Sequence, residues 1–205
     1  MTLAETLESL LPTGTERRFG ELQLSRSDSG EFVAFHRNNR GMTEDLREIA
    51  SHTDLRELAK FDSKEEYRPL KTAPNLKCGW VTRSPDSENF LKKLDAIYPG
   101  VFATWVAYDL GEHDPTPLRS TLERQTGMYK FAGSITDQMA NEIMRETCGK
   151  GCLRQIAWPI DDRCPVSRLT GSPRVIPVIC TEACTFAVSE ARRLVKEAYE
   201  KENAP

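Results

Sequence analysis

Cys148-Gly149-Lys150-Gly151-Cys152 and Cys180-Thr181-Glu182-Ala183-Cys184 are the two stretches on which the reading of this chain turns. Each is a C-x3-C pair, and with Cys164 they place five of the six cysteines at or beyond residue 148. Residues four apart converge on one centre when the backbone between them turns back or makes one helical turn. Gly149 and Gly151 allow a close turn in the first pair. In the second, Thr181 reads as a helix N-cap, with Cys180 just outside the helix and Cys184 in its first turn beside unpaired amides. Those amides and the helix dipole favour negative charge by roughly 0.3–2 kcal/mol. Lys150, Arg154, Arg163 and Arg174 offer further positive charge.

Outward from the pairs, the flanking segments read as helices. Ile135, Met139, Ala140, Ile143 and Met144 share one face after a start signal at Ser134 and Asp137, and the helix is expected to stop at Cys148-Gly149. Ala183, Phe186, Ala187, Ala191, Leu194, Val195 and Ala198 form the inward stripe of a helix over 182–200, with Arg192, Arg193, Lys196 and Glu197 outward. The charged, proline-rich tract Glu112-His-Asp-Pro-Thr-Pro117 punctuates the pattern, and the boundary is set at about residue 125. The expected units are an α+β domain over 1–125 and a mainly helical, four-cysteine domain over 126–205.

The first unit mixes both periods. Thr2 and Glu5 form a capping box opening a helix that Pro12 and Gly14 close. Phe19 to Ser25 and Phe32 to Phe35 alternate around the Asp28-Ser-Gly30 turn, as in a hairpin. Residues 43–61 have helical spacing with a break near Ser51 to Thr53. Pro69 and Pro74 make residues 67–76 an extended loop. Cys78 to Thr82 reads as a strand, Glu88 to Tyr98 as a helix, and Val101 to Tyr108 as a further strand. The fold class is α+β.

At 205 residues the chain can bury about 70% of its unfolded surface, so it needs no disulfide to fold. No export signal, membrane-length apolar run or low-complexity tract is apparent, which points to a reducing, cytoplasmic compartment where grouped cysteines bind metal or do redox chemistry. The net charge of −3 gives no broad attraction to phosphate backbones, so no nucleic-acid or membrane partner is expected. Four thiolates suit a four-iron cluster or tetrahedral zinc, and a redox or merely buried role stays open. Cys164-Pro165 complicates the count, since five thiols compete for four places. Cys78 reads as an inert, partly buried cysteine, the alternative being a solvent-reachable thiol. His36, His52 and His113 form no ligand motif, and Trp80, Trp105 and Trp158 read as core. Arg68, Lys71 and Lys77 mark a basic loop that could hold carboxylates of a tetrapyrrole or a partner. No acid–base pair or nucleophile set is apparent, so the chain is not expected to be an enzyme by itself.

Four separated motifs, in order, carry a resemblance. Tyr67-Arg-Pro-Leu-Lys-Thr-Ala-Pro-Asn-Leu-Lys-Cys-Gly-Trp80, Arg124-Gln-Thr-Gly-Met-Tyr129, Cys148-Gly-Lys-Gly-Cys-Leu-Arg154 and Cys180-Thr-Glu-Ala-Cys184 together resemble the C-terminal extension of long CbiX-like sirohydrochlorin cobaltochelatases. The similarity spans most of residues 17–200. It implies an accessory α+β domain followed by a [4Fe–4S]-binding domain, with Cys148, Cys152, Cys180 and Cys184 as cluster ligands and Cys164 as a spare or alternate. It further implies a link to cobalamin- or sirohaem-type metal chelation, with a chelatase or another tetrapyrrole-pathway protein and an electron donor as partners. The chelatase's metal-inserting histidines have no counterpart in these residues. The alternative expectation is a structural adaptor stapled by a four-cysteine cluster or by zinc.

Overall fold

In the computed structural model, residues 2–42, 46–58, 76–114, 116–151, 157–158, 167–168, 174–176, 178–179 and 183–203 are described. The chain opens with α1 (Leu3–Leu10), whose capping box is complete: Thr2 Oγ1 accepts the Glu5 amide at 3.1 Å, and Glu5 Oε2 accepts the Thr2 amide at 2.7 Å. Leu7 and Leu11 from this segment are fully buried.

Next comes an antiparallel meander of β1 (Glu16–Phe19), β2 (Leu22–Arg26) and β3 (Phe32–His36). The stretch from Phe19 to Ser25, a single strand by its alternation, is instead the end of β1, a tight turn and most of β2. Gly20 at φ +60 makes the turn, and Phe19 pairs with Leu22 across it. The hairpin expected around Asp28-Ser-Gly30 forms as β2–β3, with Leu24 opposite Ala34.

Residues 43–61 have helical spacing with a break near Ser51 to Thr53, and of the described residues among them only those after the break are helix. Arg47–Glu48 is a short strand, β4, laid parallel to β5 (Trp80–Ser84), while α2 (His52–Glu57) begins at its Ser51 cap. Ile49 sits in the core next to this ladder, its amide bonded to the Val81 carbonyl, so sheet pairing overrides the helical spacing there. The extended loop expected over 67–76 lies, except for Leu76, outside the described residues.

Helix α3 (Ser87–Ile97) forms as the spacing predicts, capped by Asp86. The segment expected as a strand from Val101 is α4 (Val101–Asp109), started by Gly100 at φ +70. Its β-branched and aromatic content favours a strand locally. Burial follows i, i+1, i+4, i+5 (Val101, Phe102, Trp105, Val106), which is a helix face. Helices α1, α3 and α4 pack on one another and α2 packs on α3. Their inward residues meet Phe19, Leu22, Leu24, Phe32 and Trp80 of the sheet in one core. Phe19 is fully buried there, edge-on to Tyr98 (5.7 Å) and to Phe102 (6.0 Å).

The second unit has its own core. Helix α5 (Leu118–Glu123), helix α6 (Asp137–Ile143) with its π-helical continuation Met144–Gly151, and α7 (Thr185–Glu202) bury Leu118, Leu122, Ile143, Met144, Ala187, Ala191 and Leu194. Small residues at i and i+4 on α7 let it approach α6 closely. Phe186, expected inward, is 48% exposed because it lies one residue off the Ala187–Ala191–Leu194 stripe. A two-stranded antiparallel ribbon joins β6 (Ala157–Trp158) to β7 (Ser167–Arg168). The chain then returns to the first sheet. Strand β8 (Val175–Ile176) lies parallel to β1, completing the order β4-β5-β3-β2-β1-β8, and Ile176 and Val178 enter the first core. The architecture is α+β, an N-terminal sheet unit followed by a helical region. Among the described residues no helix is long and apolar enough to cross a membrane.

Candidate metal centre

Cys184 is the predicted ligand whose side chain the structure places. It is itself the N-cap of α7, with φ −76 and ψ 167, and its Sγ accepts the Ala187 amide at 3.5 Å. The sequence reading gives that role to Thr181, with Cys184 inside the first turn. The helix starts three residues later because Cys184 takes the extended cap conformation and its sulfur does what a serine oxygen does elsewhere. The thiol is half-buried against the second core, at the positive end of an 18-residue helix. That position complements the negative charge of a metal-bound sulfur.

The first pair sits differently from expectation. Rather than stopping at Cys148-Gly149, α6 widens into a π-helix through Gly151, so the backbone of Cys148 belongs to a helical turn. Such widened turns recur at functional sites because the extra residue re-aims the side chains. Thr147, buried at the same turn, donates its hydroxyl to the Ile143 carbonyl at 2.6 Å. This π-helix packs against α7. The elements bearing Cys148 and Cys184 therefore pack against each other. Cys152, Cys164 and Cys180 lie outside the described residues, as do Arg154 and Arg163. Among the described residues, no group of three or more His, Cys, Asp or Glu could hold a metal ion. The predicted donor set, all cysteine sulfur, with its placed member at a helix N-terminus, fits an anionic iron–sulfur centre.

One constellation has no counterpart in the sequence reading. Cys78 is exposed rather than partly buried, and its Sγ lies 3.2 Å from His36 Nδ1. His36 is only 3% exposed and also accepts the Asn38 amide at Nδ1, 3.2 Å away. That bond makes Nδ1 the acceptor and sets the ring proton on Nε2, which faces Glu21 Oε1 at 3.9 Å. Glu21 is fully buried and accepts the Leu76 amide at 3.1 Å and the Tyr98 hydroxyl at 3.3 Å. The three residues lie far apart in sequence and meet because β3 lies between β2 and β5. No local spacing could have shown them. Trp80 and Trp105 are core residues, as the sequence suggests.

A helical region follows the sheet unit, and residues 110–193, which include it, match the model of a 4Fe-4S iron-sulfur cluster binding domain, so the protein is of the iron–sulfur-binding class. Its cofactor is a [4Fe–4S] cluster. Residues 5–109 match the model of the DR2241 stabilising domain, and the chain belongs to that family. No curated protein matches. A solved structure, DR2241 from Deinococcus radiodurans, is similar at 26% identity and a TM-score of 0.55, over 89% of this chain and 39% of that one. It is described as a multi-domain protein with structural similarity to chelatases and two additional novel domains. The resemblance read from the sequence is thus shown for both the stabilising and the cluster-binding part.

Proposed function

We propose that this chain is the iron–sulfur accessory part of a tetrapyrrole-metallating system, cytoplasmic, carrying single electrons or sensing redox state. In this reading Cys148, Cys152, Cys180 and Cys184 hold the cluster. A chelatase or another tetrapyrrole-pathway protein and an electron donor are the partners. The observation that carries it is the Cys184 cap: a sulfur at a helix N-terminus with an amide bonded to it, the arrangement by which a protein stabilises the more reduced, more negative state of a cluster. The family match and the chelatase-like relative support the metabolic setting. A [4Fe–4S] group supplies one-electron chemistry when bound; this chain supplies its burial, its amide-to-sulfur bonds and local charge. The test is anaerobic reduction and re-oxidation followed by electron paramagnetic resonance. A signal that appears and disappears over repeated cycles with the helical circular dichroism intact supports the proposal, whereas a cluster that cannot be reduced without loss of iron refutes it.

A structural reading has its own support. Five of the twelve described residues of the second core are alanine, so that core buries little apolar area for its length. A metal centre that ties α6 to α7 would then contribute folding energy. Unfolding of the helical unit on chelation, with no redox cycling, is the outcome this reading predicts.

A further inference from the structure

Cys78 belongs to the Tyr67–Trp80 motif, which the iron–sulfur reading leaves unused, and the sheet gives it a partner. It lies just before β5, and His36 ends β3, the antiparallel neighbour of that strand. The thiol is exposed, while the imidazole whose Nδ1 lies 3.2 Å from Sγ is buried. The ring is held in place, because the same Nδ1 accepts the Asn38 amide at 3.2 Å and so caps the 3-10 turn Arg37–Asn39. Beside the sulfur the surface is open: a Cβ placed on Gly79 would meet no atom of the described residues within 4 Å.

With Nδ1 an acceptor, the S–H proton points at the ring. That nitrogen can receive the proton when the sulfur attacks an electrophile, which is how a base activates a cysteine nucleophile. Across the ring, Nε2 faces Glu21 Oε1 at 3.9 Å, a charge contact rather than a hydrogen bond, so the carboxylate offsets the positive charge the ring gains. The Gly79 amide is bonded to Asn39 Oδ1 at 2.9 Å and does not serve an oxyanion, which argues against acyl transfer. Exchange with a disulfide needs only the nucleophile and a carrier for its proton. From this contact and the exposure of the sulfur, we infer that Cys78 is a thiol–disulfide exchange site for small-molecule disulfides, with His36 as its base. Cys78 Sγ attacks one sulfur of the disulfide as its proton passes to His36 Nδ1, and the Asn38 amide yields that nitrogen. A new S–S bond forms to Cys78, the old S–S bond breaks, and the departing thiolate takes the proton from Nδ1 and leaves as a thiol. The small disulfide is thereby reduced and the Cys78 thiol oxidised to a mixed disulfide, with no further oxidant consumed. None of the predicted cluster ligands takes part, so the inference goes beyond the iron–sulfur reading and survives its loss.

The test uses the full, cluster-loaded chain, anaerobic and at neutral pH, with oxidised glutathione as the probe, and follows the mixed disulfide on Cys78 by peptide mass spectrometry. A synthetic peptide of residues 76–82 gives the rate of the same sequence without His36. Cys78 in the folded chain reacts about tenfold faster than the peptide. His36→Asn, whose side-chain oxygen can still accept the Asn38 amide as an N-cap, falls to the peptide rate. A second variant leaves the buried ring untouched: Lys77→Cys combined with Cys78→Ala moves the thiol to the adjacent exposed position, away from the His36 contact, and it too reacts at the peptide rate. A Cys78 that reacts no faster than the peptide overturns the inference. So does an undiminished rate in His36→Asn with its circular dichroism unchanged, or in the variant with the displaced thiol.

Discussion

Cys184 caps α7 and, in the proposed reading, is a ligand of the cluster, two roles that substitution can separate. Its sulfur accepts the Ala187 amide at 3.5 Å, long and weak beside an oxygen cap. Replacing an oxygen N-cap by alanine typically costs about 1 kcal/mol. A thiol, a poorer acceptor, contributes less, about half of that by the same reasoning. Cys184→Ser therefore restores or improves the cap, whereas Cys184→Ala removes it. In the cluster-free chain the serine variant should melt above the alanine variant by about 2–4 °C, which corresponds to about 1 kcal/mol for a chain of this size. In the cluster-loaded state both variants should lose the iron–sulfur absorbance, because neither serine nor alanine replaces the thiolate well. The assay pairs thermal melting followed at 222 nm with iron content. Two results would refute the reasoning: full cluster retention in Cys184→Ser, which would make another cysteine the ligand, or equal melting of the two cluster-free variants, which would deny the cap.

Further outcomes follow from other residues. Cys164→Ala should keep its full iron content, while Cys148→Ala and Cys180→Ala lose theirs; iron analysis of the three variants, purified anaerobically, decides this. The Glu5 carboxylate accepts the Thr2 amide, which holds its pKa below the usual glutamate range, so its stabilisation of α1 is present at neutral pH and fades as pH falls through that lowered value. The stability gap between wild type and Glu5→Ala should accordingly close on acidification, and a gap constant with pH would contradict the capping box. Cys78, exposed beside His36, should be alkylated by iodoacetamide in the native, cluster-loaded chain without loss of iron, as read by peptide mass spectrometry. A Cys78 that resists until the protein is denatured would show that its thiol is covered.

Much of the fold is legible where a local signal acts alone. The Thr2–Glu5 capping box, the β2–β3 hairpin and α3 are each decided by caps, alternation or a 3.6-residue stripe within a dozen residues. The differences fall where tertiary pairing outweighs local preference. Arg47–Glu48 joins β5 as a parallel strand although its neighbours have helical spacing, and Val101–Asp109 is a helix although β-branched and aromatic residues crowd it. Gly20 sits inside an alternating run and looks like an ordinary strand residue, yet its positive φ turns β1 into β2. At the site, the cysteine spacing makes the chemistry legible and leaves the backbone route open. Neither the π-turn carrying Cys148 nor the capping sulfur of Cys184 has a spacing signature in the cysteine pairs. The Glu21–His36–Cys78 contact is assembled across strands, so no short window of sequence contains it.

The central claim, four thiolates around one inorganic core, is tested most directly by counting that core. Anaerobic isolation followed by iron, acid-labile sulfide and zinc analysis should give about four irons and four sulfides per chain. A colourless chain carrying one zinc and no sulfide would contradict it.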